Sequence, residues 1–171
     1  MRLFIGLGNP GKKYASTRHN AGVNALLNIF SDLKYKEDRK LLSYTAVYQN
    51  NEEKIIIIFP QTFMNLSGDA VSKALSFYKI NIQDAVVFHD EVELKEGELR
   101  YKFDGGHKGH NGLRDIIQKC GSNFHRIRLG VGRPPDERIS VADYVLAPSD
   151  LSFLPSKEEI LNLLHKNNLF G

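Results

Sequence analysis

Apolar residues along the chain recur at two spacings, one typical of buried strands and one typical of amphipathic helices. Positions 3–7 form a short apolar run of the kind found in a buried strand. The next apolar residues recur three and four positions apart and predict a helix over about residues 21–32: Val23, Leu26, Leu27 and Phe30. Apolar segments at 44–49 and 54–59 flank Asn50 and Asn51, which predicts a β-hairpin that Pro60 ends.

The same two spacings continue to the end of the chain. A second helix is expected with Ser67 as its N-cap, because apolar residues recur at helical spacing from 71 to 78. The remaining predictions are strands at 85–88, 99–103 and 127–131 and helices over about 113–120 and 156–169.

Alternation of strands and helices predicts an α/β fold. We expect one domain over residues 1–171, with a mixed twisted β-sheet and helices on both faces. In such folds, functional residues gather in the loops at the strand ends.

The amino-acid composition indicates the cellular compartment in which the protein is expected and the class of partner that it is expected to bind. The chain has one cysteine, Cys120, so no internal disulfide is possible, and we interpret this residue as core packing. We find neither a secretion signal nor an apolar run of membrane-spanning length, so a soluble cytoplasmic protein is expected. The net charge is +3, but eight basic residues and two acidic ones lie between Leu99 and Arg133. This basic segment favours a polyanionic partner, although a solvated charged surface explains the charge equally well.

The sequence GLGNPG at residues 6–11 has the glycine spacing of a dinucleotide-binding loop, but its context does not fit that function. No helix is predicted to begin inside it, and Pro10 removes a backbone donor that a phosphate would need. The acidic residue expected at the end of a second strand is also missing. A tight turn explains these glycines better.

Four histidines follow strands or lie in loops and are candidate general bases: His19, His89, His107 and His110. Asp90 follows a buried strand, where a carboxylate can orient a histidine and stabilise its protonated form. The spacing of His107 and His110 is also compatible with a metal site, although a complete ligand set is not evident. Residue types and spacing do not rank the four histidines.

The loop between the predicted hairpin and the second helix contains apolar residues and an amide in place of histidines and carboxylates. Phe63 and Met64 suit either the core or the wall of a pocket, and the amide of Asn65 suits a peptide or a carbonyl oxygen.

Together these segments resemble bacterial-type peptidyl-tRNA hydrolases, in family order and as far as about Leu146. The matching segments are GLGNPG at 6–11 with Tyr14, TRHNAG at 17–22, PQTFMNLSG at 60–68, HDE at 89–91, GGH at 105–107, GHNGLRD at 109–115 and RIRLG at 126–130. Each motif is weak alone, whereas the ordered set is highly specific.

The resemblance implies an activity and a catalytic group. The family cleaves the ester between a peptide and the 3′-terminal ribose of tRNA. His19 would be the base that activates water, and Asp90 would stabilise the protonated form of His19. Asn9 would help to distinguish N-blocked peptidyl-tRNA from free aminoacyl-tRNA.

The resemblance also implies substrate contacts and partners. Asn65 and Asn111 would bind the peptide and the tRNA end, and Tyr14 and Phe63 would line the site near the terminal nucleotide. Lys102 and Arg128 match the family's basic clamp on the acceptor-end phosphate. The partner would be tRNA and not a membrane, no metal or cofactor is implied, and a monomer is favoured.

Two features depart from the family pattern. Lys108 replaces what is usually a glycine, where it would add a phosphate contact or stiffen the loop, and the tail after Leu146 is short and only loosely similar. One alternative is an RNA-binding protein on the same scaffold that has lost catalysis. Intact candidate residues argue against it: His19, Asp90, Asn65 and Asn111. The other alternative is a metal-dependent hydrolase that uses His107, His110 and Asp90.

Overall fold

A seven-stranded mixed sheet forms the centre of the computed structural model, which describes residues 1–171. The strands are β1 (Arg2–Gly6), β2 (Lys36–Asp38), β3 (Ser43–Gln49), β4 (Lys54–Pro60), β5 (Ala85–Glu91), β6 (Leu99–Phe103) and β7 (His125–Gly130). Their order across the sheet is β2-β3-β4-β1-β5-β7-β6. The four central strands, β4, β1, β5 and β7, run parallel, and β2, β3 and β6 pair antiparallel.

Helices cover both faces of this sheet, as predicted. They are α1 (Ala21–Ile29), α2 (Ser67–Tyr78), α3 (Asn111–Cys120), α4 (Val141–Leu146) and α5 (Lys157–Lys166). On one face, Phe4 and Phe88 of the central strands pack against α1 and α5. On the other face, Ile5 and Val87 pack against α2 and α3. Each fully buried side chain of this size contributes roughly 1.5–3 kcal/mol, so the two apolar layers fix the sheet between the helices.

Two elements were not predicted. Strand β2 has the sequence Lys-Glu-Asp and lies at the sheet edge, so it carries no apolar alternation. Helix α4 has six residues, which is too short for helical spacing to emerge.

Several predicted boundaries were wrong; the first helix, for example, ends at Ile29 and not near residue 32. Ser67 is not the N-cap of α2 but its first residue, and its hydroxyl donates a hydrogen bond to the Met64 carbonyl at 2.8 Å. A 3₁₀ turn, Met64–Leu66, leads directly into α2, so the chain already turns helically before Ser67. The last helix ends at Lys166 and not near residue 169, because Asn168 adopts φ +57° and reverses the chain.

The parallel strands β1 and β5 are neighbours, and their carboxyl ends bring the loops after each strand together. Gly22 in α1 allows close packing there, because a Cβ atom at this position would lie 2.0 Å from the Phe88 carbonyl oxygen. The start of α1 is therefore held against β5, one residue from His89. None of the helices combines the length and the apolar character needed to cross a bilayer.

Candidate active site

His19, Asp90 and His110 form one hydrogen-bonded group beside the ends of the central strands. Asp90 lies near the end of β5 and is only 4% exposed. His19 lies in the 3₁₀ turn before α1, and its Nδ1 is 2.8 Å from Asp90 Oδ2. His110 immediately precedes α3, and its Nε2 is 2.7 Å from Asp90 Oδ1. Both carboxylate oxygens of Asp90 therefore accept a hydrogen bond from an imidazole.

The bonds around His110 fix its tautomer. Its Nδ1 accepts hydrogen bonds from the backbone N–H groups of Gly112 and Leu113, at 3.1 and 3.2 Å. His110 is thus the N-cap of α3 and satisfies two otherwise unpaired donors of that helix. Because Nδ1 is an acceptor, Nε2 carries the hydrogen that is donated to Asp90.

Asp90 controls the proton affinity of His19. Burial by itself lowers the pKa of His19, but the charge of Asp90 and its hydrogen bond outweigh burial, so that the net pKa is raised above 6.5. Burial would raise the pKa of Asp90, but the two imidazole partners hold it well below its usual range. Asp90 is therefore ionised at neutral pH and orients His19 with Nδ1–H towards the carboxylate, which leaves Nε2 free to accept a proton.

The other histidines are engaged differently. His89 is buried, its Nδ1–H donates to the Asp90 carbonyl at 2.8 Å, and burial followed by the proximity of His110 lowers its pKa to about 3. His107 accepts a hydrogen bond from Gly109 N at its Nδ1. Of the four histidines, His19 is the one that pairs with Asp90 and retains a ring nitrogen without a hydrogen bond in the protein.

The metal hypothesis proposed the wrong set of residues. The side chains that converge are His19, Asp90 and His110, with ligand atoms within 4.8 Å of one another, and His107 is not among them. A metal ion needs the lone pair of each ligand nitrogen. Here the nitrogens that approach Asp90 carry hydrogens donated to it at 2.7–2.8 Å. This donor set does not fit a metal ion.

The backbone of Asn9 is held by two hydrogen bonds with the side chain of Asn20. Its N–H donates to Asn20 Oδ1, and Asn20 Nδ2 donates to the Asn9 carbonyl, both at 2.9 Å. Asn9 Oδ1 accepts a hydrogen bond from Met64 N at 2.7 Å. The oxygen of the Asn9 amide is thereby occupied, and its NH₂ group is the half that remains for a ligand.

The remaining predicted contact residues lie in loops and at a helix start. Asn65 belongs to the 3₁₀ turn before α2 and Asn111 is the first residue of α3; both are exposed and form no side-chain hydrogen bond within the protein. Tyr14 and Phe63 pack edge to face with ring centroids 6.5 Å apart, and Phe63 is 59% exposed. The two rings come from distant segments and form one aromatic surface.

A cavity of about 220 Å³ adjoins the imidazoles, and we call it the catalytic cavity. His19, Asp90, His110 and Asn111 contribute to its polar side. The unpredicted helix α4 supplies an apolar side: Val141, Ala142, Val145 and Leu146. The pattern of α4 carried no signal for this role, because only the tertiary fold brings the helix opposite His19.

Helix α4 is fastened to the segment that holds His19. The Arg18 guanidinium lies 4.1 Å from the centre of the Tyr144 ring, and Thr17 forms an isolated β-bridge with Pro148. Ser149 N donates to the Ser16 carbonyl at 2.7 Å. The apolar side of the catalytic cavity is thus fixed relative to the imidazoles.

A second, smaller cavity lies beside the first, and we call it the basic pocket. Its charged lining residues are Glu91, Lys102, Lys108, Arg126 and Arg128. Lys102 and Arg128, the predicted clamp, lie on the paired strands β6 and β7, and Arg128 Nε is 3.1 Å from Glu91 Oε1.

The basic segment of the sequence is less basic on the surface than its composition indicates. Arg126 is buried and donates to the carbonyls of Gly105, Gly106 and Ser122, so that it holds the glycine-rich loop. Others form ion pairs: Arg100 with Glu98, Lys119 with Asp69 and Asp115, and Arg133 with Glu93. Lys102, Lys108 and Arg114 form no salt bridge.

Comparisons with known proteins place this geometry in a family. A family model described as peptidyl-tRNA hydrolase matches residues 3–167. The peptidyl-tRNA hydrolase of Cereibacter sphaeroides is 45% identical over 148 residues, which cover 86% of this chain and 65% of the relative. That of Escherichia fergusonii is 45% identical over 150 residues, which cover 85% of this chain and 77% of the relative. This chain spans just under two thirds of the length of the Cereibacter relative.

A solved structure agrees over nearly the whole chain. The crystal structure of peptidyl-tRNA hydrolase from Acinetobacter baumannii matches with a TM-score of 0.82 and 34% identity, covering 99% of this chain and 85% of that one. The chain therefore belongs to the peptidyl-tRNA hydrolase family.

Proposed function

We propose that this chain hydrolyses the ester between peptide and tRNA in peptidyl-tRNA, with His19 as the general base. The hydrogen bond between His19 and Asp90, at the edge of the catalytic cavity, is the observation that carries the proposal. An ester is an activated acyl group, so a positioned base and donors for the developing oxyanion are sufficient chemistry.

In this mechanism, Nε2 of His19 takes a proton from water as the water oxygen attacks the ester carbonyl carbon. Asp90 stabilises the imidazolium that forms, which is consistent with the raised pKa of His19. The tetrahedral intermediate then expels the 3′ oxygen of the ribose, and the proton on His19 passes to that oxygen. The products are tRNA with a free hydroxyl and a peptide with a free carboxyl group.

Three asparagine amides are suited to the peptide and the oxyanion, and one of them, Asn111, lines the catalytic cavity. Asn111 lines the cavity and forms no side-chain bond within the protein, so its NH₂ group is available to the ester carbonyl. The Asn9 amide has its oxygen occupied by Met64 N, which makes it a donor towards the peptide. Asn65 follows Met64 in the same loop and is exposed, so its amide is available to other groups of the peptide or the tRNA end.

Contacts to tRNA are proposed on the basic and aromatic surfaces. Lys102 and Arg128 bind an acceptor-end phosphate, and Tyr14 with Phe63 contacts the terminal nucleotide, because exposed aromatic faces stack on bases. We propose that the chain acts as a cytoplasmic monomer of one domain, without a metal or cofactor. Sedimentation at several protein concentrations tests the oligomeric state.

An isotope experiment tests the proposed reaction. The chain is incubated with N-acetyl-aminoacyl-tRNA in H₂¹⁸O with a strong chelator, and we expect release of the N-acetyl amino acid with ¹⁸O in its carboxyl group. Aminoacyl-tRNA with a free amine serves as the control and should react far more slowly. Binding of tRNA without release would favour the non-catalytic RNA-binding protein, and loss of release on chelation would favour a metal-dependent hydrolase.

A further inference from the structure

Lys108 occupies an unusual backbone position for its residue type. It lies between His107 and Gly109 in the glycine-rich loop and adopts φ +48°, the left-handed region. A side chain with a Cβ is disfavoured in this region by steric contact with the backbone, whereas glycine adopts the conformation readily. The lysine is exposed and forms neither a salt bridge nor a hydrogen bond within the protein. No contact within the protein therefore accounts for the lysine.

The same residue lines both cavities of the site. On one side it borders the catalytic cavity with His19, Asp90 and Asn111. On the other side it borders the basic pocket with Lys102 and Arg128. Lys108 therefore lies between the catalytic cavity and the basic pocket that contains Lys102 and Arg128.

The charges at the basic pocket are not balanced. Four cations line it against one carboxylate, Glu91, which is already paired with Arg128. The guanidinium of Arg126 donates hydrogen bonds to the loop carbonyls of Gly105 and Gly106. The Lys102 side chain packs on Gly105: a Cβ atom at position 105 would lie 2.6 Å from Lys102 Nζ. Lys102 is therefore close to the loop that bears Lys108. Burial and then repulsion by Lys108 lower the pKa of Lys102, and an anion bound here would relieve that repulsion.

We propose that Lys108 binds the first internucleotide phosphate of the single-stranded tRNA end, the one that precedes the terminal nucleoside, between the ester in the catalytic cavity and the phosphate held by Lys102 and Arg128. The inference rests on the proposed ester hydrolysis and adds a second phosphate contact on the substrate side. A lysine suits this task, because its ammonium is a compact charge on a flexible stem that needs no fixed approach direction.

Three substrates with the same N-acetyl-aminoacyl group separate this contact from the clamp. The first is the 3′ ester of adenosine, which has no phosphate, and the second is the ester of the dinucleotide CpA, which has one internucleotide phosphate. The third is the full-length tRNA. Lys108→Gly removes the charge and relieves the strained backbone, so folding is not expected to suffer.

We expect Lys108→Gly to lower kcat/KM about fivefold to tenfold on the dinucleotide and on tRNA, and to leave the adenosine ester unchanged. For tRNA, the slope of log kcat/KM against log salt concentration should be shallower by about 0.7 in this variant. Lys108→Arg should retain most of the activity on all three substrates. Lys79→Gly is the matched control, because Lys79 is exposed, adopts φ +55° and lies at the end of α2 away from the site.

Each other outcome overturns the assignment. An equal loss on all three esters would mean that Lys108 shapes the loop and does not bind phosphate. A loss on tRNA alone would move the contact beyond the first internucleotide phosphate, and no loss beyond that of Lys79→Gly would remove Lys108 from the binding site. If the wild-type chain releases the acyl group from none of the three, the proposed function itself fails, and this inference fails with it.

Discussion

The catalytic cavity and the basic pocket share one loop but are organised in different ways. In the cavity, His19, Asp90 and His110 are held by hydrogen bonds of 2.7–2.8 Å, and the carboxylate is almost fully buried. In the basic pocket, the predicted phosphate ligands are partly exposed, and the one close ion pair joins Arg128 to Glu91.

Because of this difference, we expect the catalytic cavity to determine the rate of the reaction and the basic pocket to determine the affinity for tRNA. A buried hydrogen-bonded group is shielded from salt and holds one geometry, so changes there should act on kcat. Partly exposed cations act through long-range attraction that ions screen, so changes there should act on KM and on salt dependence. Substitutions in the two regions test this difference.

The largest effect is expected for His19→Ala. Loss of the base should lower kcat by about 10²–10⁴, because no other histidine in the group offers a free nitrogen. Affinity for tRNA should remain, since the basic pocket is untouched; steady-state kinetics and filter binding measure the two effects. His165→Ala, at an exposed position of α5, is the matched control. Near-normal turnover of His19→Ala would disprove its role as base.

Asp90→Asn should lower kcat about a hundredfold and also shift the pH profile. His19 acts as a base only when neutral, so kcat/KM rises with pH through the His19 pKa. In the wild type, Asp90 raises that pKa above its ordinary value of 6.5. Without the charge, burial lowers the pKa, so the acid limb of kcat/KM should move to lower pH. An acid limb at the wild-type position would show that Asp90 does not control His19.

Asn111→Ala should lower kcat about tenfold, less than the roughly 10²–10³ of a well-aimed oxyanion donor, because the exposed Asn111 side chain has no hydrogen bond within the protein that fixes its direction. The comparison variant is Asn65→Ala, which we expect to raise KM more than it lowers kcat, since Asn65 does not line the catalytic cavity. The opposite pattern in the two variants would exchange their roles.

The smallest effects are expected in the basic pocket. Lys102→Ala should raise KM about threefold to tenfold and make the salt dependence shallower, with kcat unchanged. Arg128→Ala should raise KM more than Lys102→Ala, because it also leaves Glu91 unpaired beside the phosphate. Arg138→Ala, at an exposed arginine paired with Asp136, is the control. A salt slope equal to that of the control would exclude these residues from the tRNA contact.

Much of the fold follows from local pattern. The helical spacing around Val23 and Leu26 and the hairpin around Asn50 predicted elements that the structure contains, because one face of each packs on an apolar layer. Strand β2 and helix α4 were not predicted, since the charged edge strand buries no apolar face and α4 is less than two turns long.

The site could be predicted only in part from the local sequence pattern. The histidines and Asp90 were identified as reactive types at strand ends and loops, but their pairing depends on which loops meet. His110 shows this best: its bonds to Asp90 and to the start of α3 are invisible in the sequence, although a polar residue just before a helix was a usable signal for a cap.

By itself the sequence determined the α/β class, the position of most strands and helices, and a family resemblance that named His19 and Asp90. These properties rest on spacing and residue type along the chain, which are local. Only the tertiary structure decided that His19 and His110 both bond Asp90, that Arg126 is an internal support and not a surface charge, and that α4 faces His19. Each of these depends on contacts between residues distant in sequence, and local spacing carries no information about which loops the sheet brings together.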